Sequence, residues 1–476
     1  MPPIIATLVF AVLVASLFFL DRDTEKTSKA LWIAVVWIMI IGSRPITVWL
    51  GLAPAAGAND PYLDGSPIDR DVFLVLIAIG VAVLIARGRK VSVVLGQNLP
   101  VLIFYGYCGL SILWSDFPDV AAKRWIKFVG DLVMVLIVMT DDRPVTALRR
   151  LLARCGFVLL PASILLIKYF PNLGWGYEPW SWTPIFTGVT TNKNSLGLIA
   201  MLLGLSTVWQ ICNLKQSKEI VDRQRRLVAQ GALLGFVVWI LHLAHSTTST
   251  SCFVFGSFLI VVTSMSERFR KPVAVSLLVF AIVFCSFLSL FVIPQLGILE
   301  SVGKDVTLTG RTDIWRDVLA IPVNRILGTG FDSFWLGDRL HRMWELYWWH
   351  PNEAHNGYLE VLLNLGYTGL FLLGILLVTG YRNVLATLRQ NRPLGSLCLA
   401  FFTVTLTYNF TEAAIRELNP VWFFFLVAVA SLSASPKVEL EQPSRVARPI
   451  YTRPQRQPVG GLISTKMRRG VHWKSS

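Results

Sequence analysis

Residues 272–293 read PVAVSLLVFAIVFCSFLSLFVI, a run of 22 residues without a charged side chain. A helix needs roughly 20 apolar residues to cross a hydrocarbon layer of about 30 Å. Similar runs recur along nearly the whole chain, near 4–20, 30–51, 72–86, 98–115, 126–139, 154–170, 195–213, 228–245, 251–265, 358–380, 394–410 and 421–434. The sequence therefore predicts an all-α, polytopic integral membrane protein.

The composition excludes an ordinary cytosolic enzyme. Of the 476 residues, 54% are hydrophobic and only 15% are charged, and the mean hydropathy is +0.57. A soluble globular protein carries about 25% charged residues, so this chain cannot supply the polar faces of a water-soluble bundle. The net charge of +15 lies in short loops and in the C-terminal region rather than in one nucleic-acid-binding surface.

The loops between the 13 apolar segments indicate an orientation. Loops after odd-numbered segments carry 21 Lys and Arg, whereas the short even-numbered loops carry about eight. Because basic loops stay in the cytoplasm, we expect the N-terminus outside and the C-terminus inside. Segment 4–20 lacks the basic start and the cleavage site of a signal peptide, so it is interpreted as a span, with 12 spans as the alternative.

Three regions follow from this topology. Residues 1–435 form the membrane-embedded domain, and residues 294–357 form a long periplasmic loop within it. Loops of this length are uncommon and usually functional. Residues 436–476 carry nine Lys or Arg against two Glu and show no apolar periodicity, which predicts a disordered cytoplasmic tail.

Arg311 lies at the start of a helix that the sequence predicts within the long loop. Trp315 follows four residues later on the same side of that helix. A guanidinium beside the free N–H groups of a helix start can bind a diphosphate. The alternative is a solvated arginine paired with Asp313 or Asp317.

His355 precedes the span that begins near Tyr358, so it should lie at the outer boundary between membrane and water. Imidazole is the side chain best suited to accept a proton near neutral pH. Asn356 or Glu353 could orient the ring. The alternative is an interfacial histidine that hydrogen-bonds to the backbone.

Other polar residues are predicted on the same outer side. Lys123 and Arg124 form a basic cluster against the positive-inside trend, which an anionic lipid-linked substrate would explain. Lys193 and Asn194 open a span there. Arg339 lies in a segment rich in Trp and Tyr, which either stack on sugar rings or form an interfacial aromatic belt.

These residues in this order resemble the O-antigen ligase and polysaccharide polymerase superfamily, particularly its exopolysaccharide-polymerising branch. The likeness covers most of residues 30–435, and its most specific part is Gly328-Thr329-Gly330 followed about 25 residues later by His355-Asn356. The other matching segments are Gly42–Pro45, Trp114–Asp116 with Lys123 and Arg124, Thr191–Gly197, the Ser/Thr turn 246–251 and Gly310–Trp315.

The resemblance implies a glycosyltransferase at the periplasmic face of the bacterial inner membrane. Its donor would be an oligosaccharide on undecaprenyl diphosphate, and its acceptor a sugar hydroxyl of another glycan. Transfer would invert the anomeric carbon without a nucleotide sugar, cofactor or metal. His355 would activate the acceptor hydroxyl, and Arg311 would neutralise the diphosphate. The implied substrate-binding residues are Lys193, Asn194, Lys123, Arg124, Asn356, Trp315 and Arg339.

The remaining expectations concern partners and alternatives. Expected partners are the donor, the acceptor glycan, membrane lipid and other polysaccharide assembly proteins, and no nucleic acid. Many relatives carry an arginine in the outer Ser/Thr turn, but residues 246–251 contain none; Lys193, Lys123, Arg124 or hydroxyl groups would replace it. A ligase that transfers polymer to lipid A core is the nearest alternative. A multispan transporter is the alternative from another class, with Asp131 and His242 as its main intramembrane polar residues.

Overall fold

The fold is taken from a computed structural model, which describes residues 1–22, 25–52, 65–178, 182–216, 223–292 and 311–430. The helices are α1 (Pro3–Leu20), α2 (Leu31–Ile41), α3 (Ile46–Trp49), α4 (Pro67–Ala86), α5 (Gly88–Gln97), α6 (Leu99–Leu110), α7 (Pro118–Met139), α8 (Pro144–Tyr169), α9 (Pro171–Gly174), α10 (Lys193–Gln216), α11 (Arg223–Ala244), α12 (Thr247–Met265), α13 (Pro272–Phe287), α14 (Arg311–Ala320), α15 (Gly337–Leu346), α16 (Gly357–Gln390), α17 (Arg392–Tyr408) and α18 (Pro420–Val429). Strands β1 (Trp175–Tyr177) and β2 (Pro184–Phe186) pair antiparallel, with Gly176 opposite Ile185.

The all-α membrane class is confirmed. Each predicted apolar segment is mainly helical in its described part, but segment 30–51 is divided into α2 and α3 by residues 42–45. Within the described ranges, seven helices are long and apolar enough to cross a membrane, or eight if α4 and α5, which are bent by 99°, form one span. Helices α2, α6 and α18 are apolar but shorter. The predicted number of 13 spans is therefore not confirmed. The predicted tail, 436–476, lies outside the described residues.

The centre of the bundle is formed by α10, α17 and α18. Helix α10 packs against α11 and α12, and α17 packs against α12, α16 and α18. All ten residues of α18 are buried, as expected for a helix that is apolar on every side. Because lipid is as apolar as these side chains, close packing rather than exclusion of water stabilises α18 in this position.

Asp131, a polar residue on which the transporter alternative depended, has a structural role. It is fully buried in α7. Its carboxylate accepts hydrogen bonds from the Trp37 indole at 2.8 Å and from the Leu418 N–H at 3.0 Å. Asp131 therefore fixes the connection between α17 and α18, residues 409–419, which we call the α17–α18 segment.

Helix α16 is interrupted at Gly366, where φ is +65°. Backbone of the long loop fills the gap, because the Gly330 N–H donates to the Asn364 carbonyl at 2.9 Å. A Cβ at position 366 would lie 2.2 Å from the carbonyl oxygen of Ile326, so only glycine fits. The Gly-x-Gly sequence is thus the element that docks the long loop onto α16.

The described part of the long loop, 311–356, has a small core of its own. Ile314 and Val318 of α14 pack against Leu340 and Met343 of α15 and against Phe334, and all five are buried. This cluster continues onto the first turns of α16 through Leu363. The loop is therefore a packed cap on one end of the bundle, and it holds Arg311 and His355 in defined places.

Candidate active site

Arg311 is the first residue of α14, as the sequence predicts, but its partner differs from both predicted alternatives. One guanidinium nitrogen donates to Glu412 Oε1 at 3.2 Å, and the other donates to the Thr411 carbonyl. Asp313 and Asp317 pair instead with Arg316. The Arg311 side chain is 23% exposed. The guanidinium is therefore held by the α17–α18 segment rather than solvated.

His355 lies against the same carboxylate. Its Nδ1 is 3.6 Å from Glu412 Oε2 and 2.8 Å from Glu353 Oε1. Neither contact meets the geometry of a hydrogen bond, and the Glu412 oxygen is too distant for one, so both are ion pairs of a charged ring. Sequence reasoning predicted that Arg311 and His355 converge, and the structure joins them through Glu412.

Arg416 extends the arrangement on the other side of His355. Its guanidinium is 3.1 Å from Glu353 Oε2. Positive and negative side chains therefore alternate along a row that we call the charge row. Its members, in spatial order, are Arg311, Glu412, His355, Glu353 and Arg416.

The charge row shifts the proton affinity of its members. Burial alone would lower the pKa of His355, but Glu353 and Glu412 outweigh burial and raise it to about 10. For Glu353, burial opposes ionisation, but His355, Arg416 and Arg311 outweigh it and lower the pKa to about 2. Since 34% of the His355 side chain is exposed, water screens part of this effect. At neutral pH the site holds an imidazolium beside a carboxylate.

The backbone at the start of α16 explains why His355 occupies this position. His355 has φ of +49°, a left-handed backbone conformation that costs an L residue about 1–3 kcal/mol. Asn356, a predicted substrate ligand, instead caps α16 by accepting from the Tyr358 and Leu359 N–H groups, both at 3.1 Å. The cap and the strained backbone together fix the direction of the imidazole.

Gly357 allows the α17–α18 segment to approach the start of α16. Its N–H donates to the carbonyls of Asn409 at 2.9 Å and Glu412 at 3.1 Å. A Cβ here would lie 1.9 Å from Asn409 Oδ1. The absence of a side chain at position 357 is therefore what brings Glu412 beside His355.

Two of the predicted substrate-binding residues contact the charge row or its neighbours. Asn194 Nδ2 donates to Glu412 Oε1 at 3.4 Å. The Trp315 indole donates to the Ala354 carbonyl at 2.7 Å, which positions the residue before His355. The Ser/Thr turn is also adjacent, since the hydroxyls of Thr248 and Thr411 lie 3.0 Å apart.

Arg124 belongs to a neighbouring carboxylate cluster. It pairs with Asp332 at 3.3 Å and donates to the Asp332 carbonyl. Burial favours the protonated form of Asp332, but Arg124, Arg416 and Glu417 outweigh it and lower its pKa. Burial and the Asp332 charge raise the pKa of Glu417 to about 7. Lys123, one residue away, is exposed and has no polar partner in the described part of the chain.

Two predicted ligands are engaged in structural contacts. Lys193 pairs with Glu178, which directly follows β1. Arg339 binds Asp116 at 2.7 Å and the carbonyls of Ser333 and Phe334 at 3.0 and 3.1 Å, which ties α15 to the end of α6 and the Gly-x-Gly region. Neither side chain contacts Arg311 or His355.

Sequence reasoning missed Glu412 and recognised Arg416 only as an outer basic residue. Both come from the α17–α18 segment, so the long loop does not complete the charge row alone. A signal was present, because residues 412–417 place two Glu and one Arg between two strongly apolar segments. Charges confined to so short a connection indicate partners elsewhere in the fold.

Glu353, His355 and Glu412 could also hold a cation by geometry, because one ligand atom of each lies within 4.8 Å of the others. The charge row argues against this role. Arg311 and Arg416 already pair with the two carboxylates, and a metal requires the histidine to be neutral although its pKa is about 10.

The fold and this site define a multi-pass membrane protein with a charged site at one end of the bundle. The model of the O-antigen ligase family (Wzy_C) matches residues 231–374, which include Arg311 and His355. The chain is also 27% identical over 309 residues to the exopolysaccharide production protein ExoQ of Rhizobium meliloti (strain 1021). That alignment covers 62% of this chain and 66% of the relative, just under two thirds of its length. These matches confirm the resemblance to the O-antigen ligase and polysaccharide polymerase superfamily and to its exopolysaccharide branch.

Proposed function

We propose that the protein is a membrane glycosyltransferase of polysaccharide synthesis, and specifically a polymerase. It would transfer a glycan from undecaprenyl diphosphate to a sugar hydroxyl of an acceptor glycan at the periplasmic face of the inner membrane. The observation that carries this proposal is the shared contact of Arg311 and His355 with Glu412. A cation and a titratable imidazole that share one site suit the departure of an anionic leaving group and the activation of a hydroxyl.

Arg311 and Arg416 would neutralise the diphosphate. Guanidinium groups bind phosphate oxygens in a bidentate way, and preorganised cations stabilise the charge that develops on a leaving group. Arg416 supplies the second cation that the Ser/Thr turn lacks. Of the replacements predicted from sequence, Lys193 is paired with Glu178 and Arg124 with Asp332.

His355 would accept the proton of the acceptor hydroxyl. The hydroxyl oxygen attacks the anomeric carbon from the side opposite the diphosphate, the bond to the diphosphate breaks, and the phosphate oxygen leaves with the electron pair. This reaction inverts the anomeric carbon, and the arginines supply the charge neutralisation that a metal would otherwise provide. Because the pKa of His355 is about 10, the ring must first release its own proton to water, which reaches the exposed third of the side chain.

The acceptor glycan would contact the aromatic residues of the long loop. Trp348 is 63% exposed, and its ring lies 5.9 Å from that of Trp349 at a right angle. Exposed aromatic faces stack on the C–H faces of sugar rings. Tyr347 holds this segment by donating from its hydroxyl to Asp317 at 2.7 Å.

The cellular test is deletion of the gene, followed by sizing of surface and secreted polysaccharide. Loss of polymer with retention of single lipid-linked repeats supports the polymerase. Intact polymer that remains on its lipid carrier would assign the ligase reaction instead. Polysaccharide of normal size and amount would contradict both.

The location of the site is tested separately. A reporter enzyme that is active only in the periplasm, fused to the chain at about residue 340, should be active. Activity of a cytoplasmic reporter at the same position would place the long loop and the charge row on the other face of the membrane.

A further inference from the structure

A second large cleft lies at the opposite end of α16 from the charge row. A cleft of about 580 Å³ opens between the junction of α5 with α6, one face of α16 and the end of α18. Its walls include Asn98, Leu376, Arg382, Arg389 and Val429. A smaller cleft of about 350 Å³ lies on the other side of Arg389. Nothing in the proposed reaction uses either space.

We propose that this cleft binds one anionic phospholipid, with the phosphate at Arg382 and Arg389 and an acyl chain along α16 toward Leu376. The site does not depend on the proposed reaction. Membrane proteins bind acidic headgroups in basic pockets between helices. Three properties of this cleft agree with such a ligand: its charge, its dimensions and its position in the membrane.

Within the described ranges, no acidic side chain balances the charge of the cleft. Arg382 and Arg389 are exposed, and neither contacts a carboxylate among the residues that the structure describes. They lie seven residues apart, so both project from the same face of α16. Arg392, beside the smaller cleft, donates instead to carbonyls of Thr263 and Ser266.

The dimensions fit a lipid in one leaflet. Thirteen residues separate Leu376 from Arg389, which corresponds to about 20 Å of helix. One leaflet contributes about 15 Å of hydrocarbon, and the headgroup lies beyond it. The deep part of the cleft is lined by Leu376 and Val429, and the arginines lie at its outer end.

The position of α5 marks this end of the cleft as the membrane surface. Helix α5 is bent by 99° from α4, and none of its residues is buried. A short helix that turns away from a span and carries Arg89 and Lys90 is typical of the interface. Gln97, its last residue, lines the cleft.

The C-terminal region is a poor occupant for this cleft because its charge has the same sign. Residues 436–476 carry nine Lys or Arg and only two Glu. A phospholipid with a neutral headgroup would bind more weakly, because the arginines would gain no counter-charge. An acidic headgroup carries the opposite charge and supplies the counter-charge that the two arginines lack.

The test is native mass spectrometry of the purified full chain titrated with phosphatidylglycerol or with phosphatidylcholine of the same acyl chains. We expect wild type to bind phosphatidylglycerol more tightly. The double variant Arg382→Gln, Arg389→Gln should weaken that binding about tenfold or more, since each basic residue near an acidic headgroup contributes substantially. The variant Arg22→Gln, Arg223→Gln removes the same charge from exposed positions outside the cleft and should bind as wild type does.

A steric variant separates a bound lipid from general surface attraction. Thr379→Trp fills the cleft without changing the charge, and we expect it to lose phosphatidylglycerol as the arginine variant does. Retained binding in Thr379→Trp, or equal losses in both arginine variants, would overturn the site. A further outcome would also overturn the proposal. If wild type binds no phosphatidylglycerol and its residues 436–476 resist trypsin, the occupant of the cleft is the tail. Unchanged elution and melting temperature of each variant establish that it is folded.

Discussion

The two ends of α16 use arginine in different ways. At the end near His355, Arg311, Arg416 and Arg339 each contact a carboxylate, which fixes the guanidinium in place. At the other end, Arg382 and Arg389 contact no carboxylate in the described chain. A neighbouring carboxylate weakens the attraction of an arginine for a bound anion, but it holds the guanidinium in one orientation. An arginine without such a partner keeps its full attraction, but its side chain is not held in one orientation. We therefore expect the first end to depend on the identity of each side chain, and the second to depend mainly on total charge.

The largest effect is expected from removal of the two predicted catalytic side chains. His355→Ala and Arg311→Ala should each lower the transfer rate by about 100-fold to 10,000-fold, because general-base catalysis and leaving-group stabilisation contribute on this scale. The measurement is polymer formed from lipid-linked oligosaccharide by the purified protein in vesicles. Arg316→Ala, on the same helix as Arg311, and His341→Ala, in the same loop as His355, should retain at least about half of the rate. Wild-type rates in either catalytic variant would remove that residue from the site.

Exchange of arginine for lysine tests the comparison directly. Arg311→Lys keeps the charge but loses the planar fork, so we expect about a tenfold or greater loss of transfer rate. Arg389→Lys at the other end should leave phosphatidylglycerol binding within about twofold of wild type. If Arg311→Lys keeps its transfer rate as fully as Arg389→Lys keeps its lipid binding, the planar geometry of Arg311 beside Glu412 is not important for the reaction.

Arg416 should affect donor binding more than chemistry. Arg416→Gln is expected to raise KM for the lipid-linked donor by about tenfold, since one charge-assisted contact to phosphate is lost. Arg342→Gln, an exposed arginine of α15, is the matched control. Unchanged KM and kcat in Arg416→Gln would contradict the role of Arg416 as the second cation.

The smallest effect concerns the pH dependence of stability. The pKa of His355 rises from 6.5 to about 10 on folding. Its ion pairs therefore stabilise the protein fully below pH 6.5 and lose their effect as the pH rises toward 10. At pH 6 we expect the melting temperature of wild type to exceed that of His355→Gln by about 2 °C or less, because the ring is partly solvated. This difference in melting temperature should vanish near pH 10. A difference that grows with pH would contradict a protonated ring.

The sequence predicted the features that depend on local chain properties. Apolar runs such as 272–293 became helices because length and hydropathy are sufficient for a helix in lipid. That Arg311 and His355 share one site was implied by the resemblance to the O-antigen ligase and polysaccharide polymerase superfamily, not by a local property of the chain. The interruption of α16 was not predicted, because 358–380 is continuously apolar in sequence and Gly366 is exceptional only through its contact with Ile326.

The features that sequence reasoning missed depend on contacts between distant segments. Glu412 meets Arg311 across 101 positions, and Arg416 meets Glu353 across 63. Lys193 was predicted to bind substrate, but the β1–β2 hairpin brings Glu178 against it. No periodicity in a single sequence specifies which opposite charge a side chain will contact. The charge row could therefore be recognised only in three dimensions.

The central claim is that Arg311 and His355 act in one site that Glu412 holds together. A double-mutant cycle tests it most directly, with transfer rates of wild type, Arg311→Ala, His355→Ala and the double variant measured in vesicles under the same conditions. Residues that act as a unit give strongly non-additive losses, so we expect the double variant to be about as slow as the slower single variant. If the two losses multiply, the transfer rate of the double variant will be reduced by the product of the two single-variant factors. That result would contradict the claim.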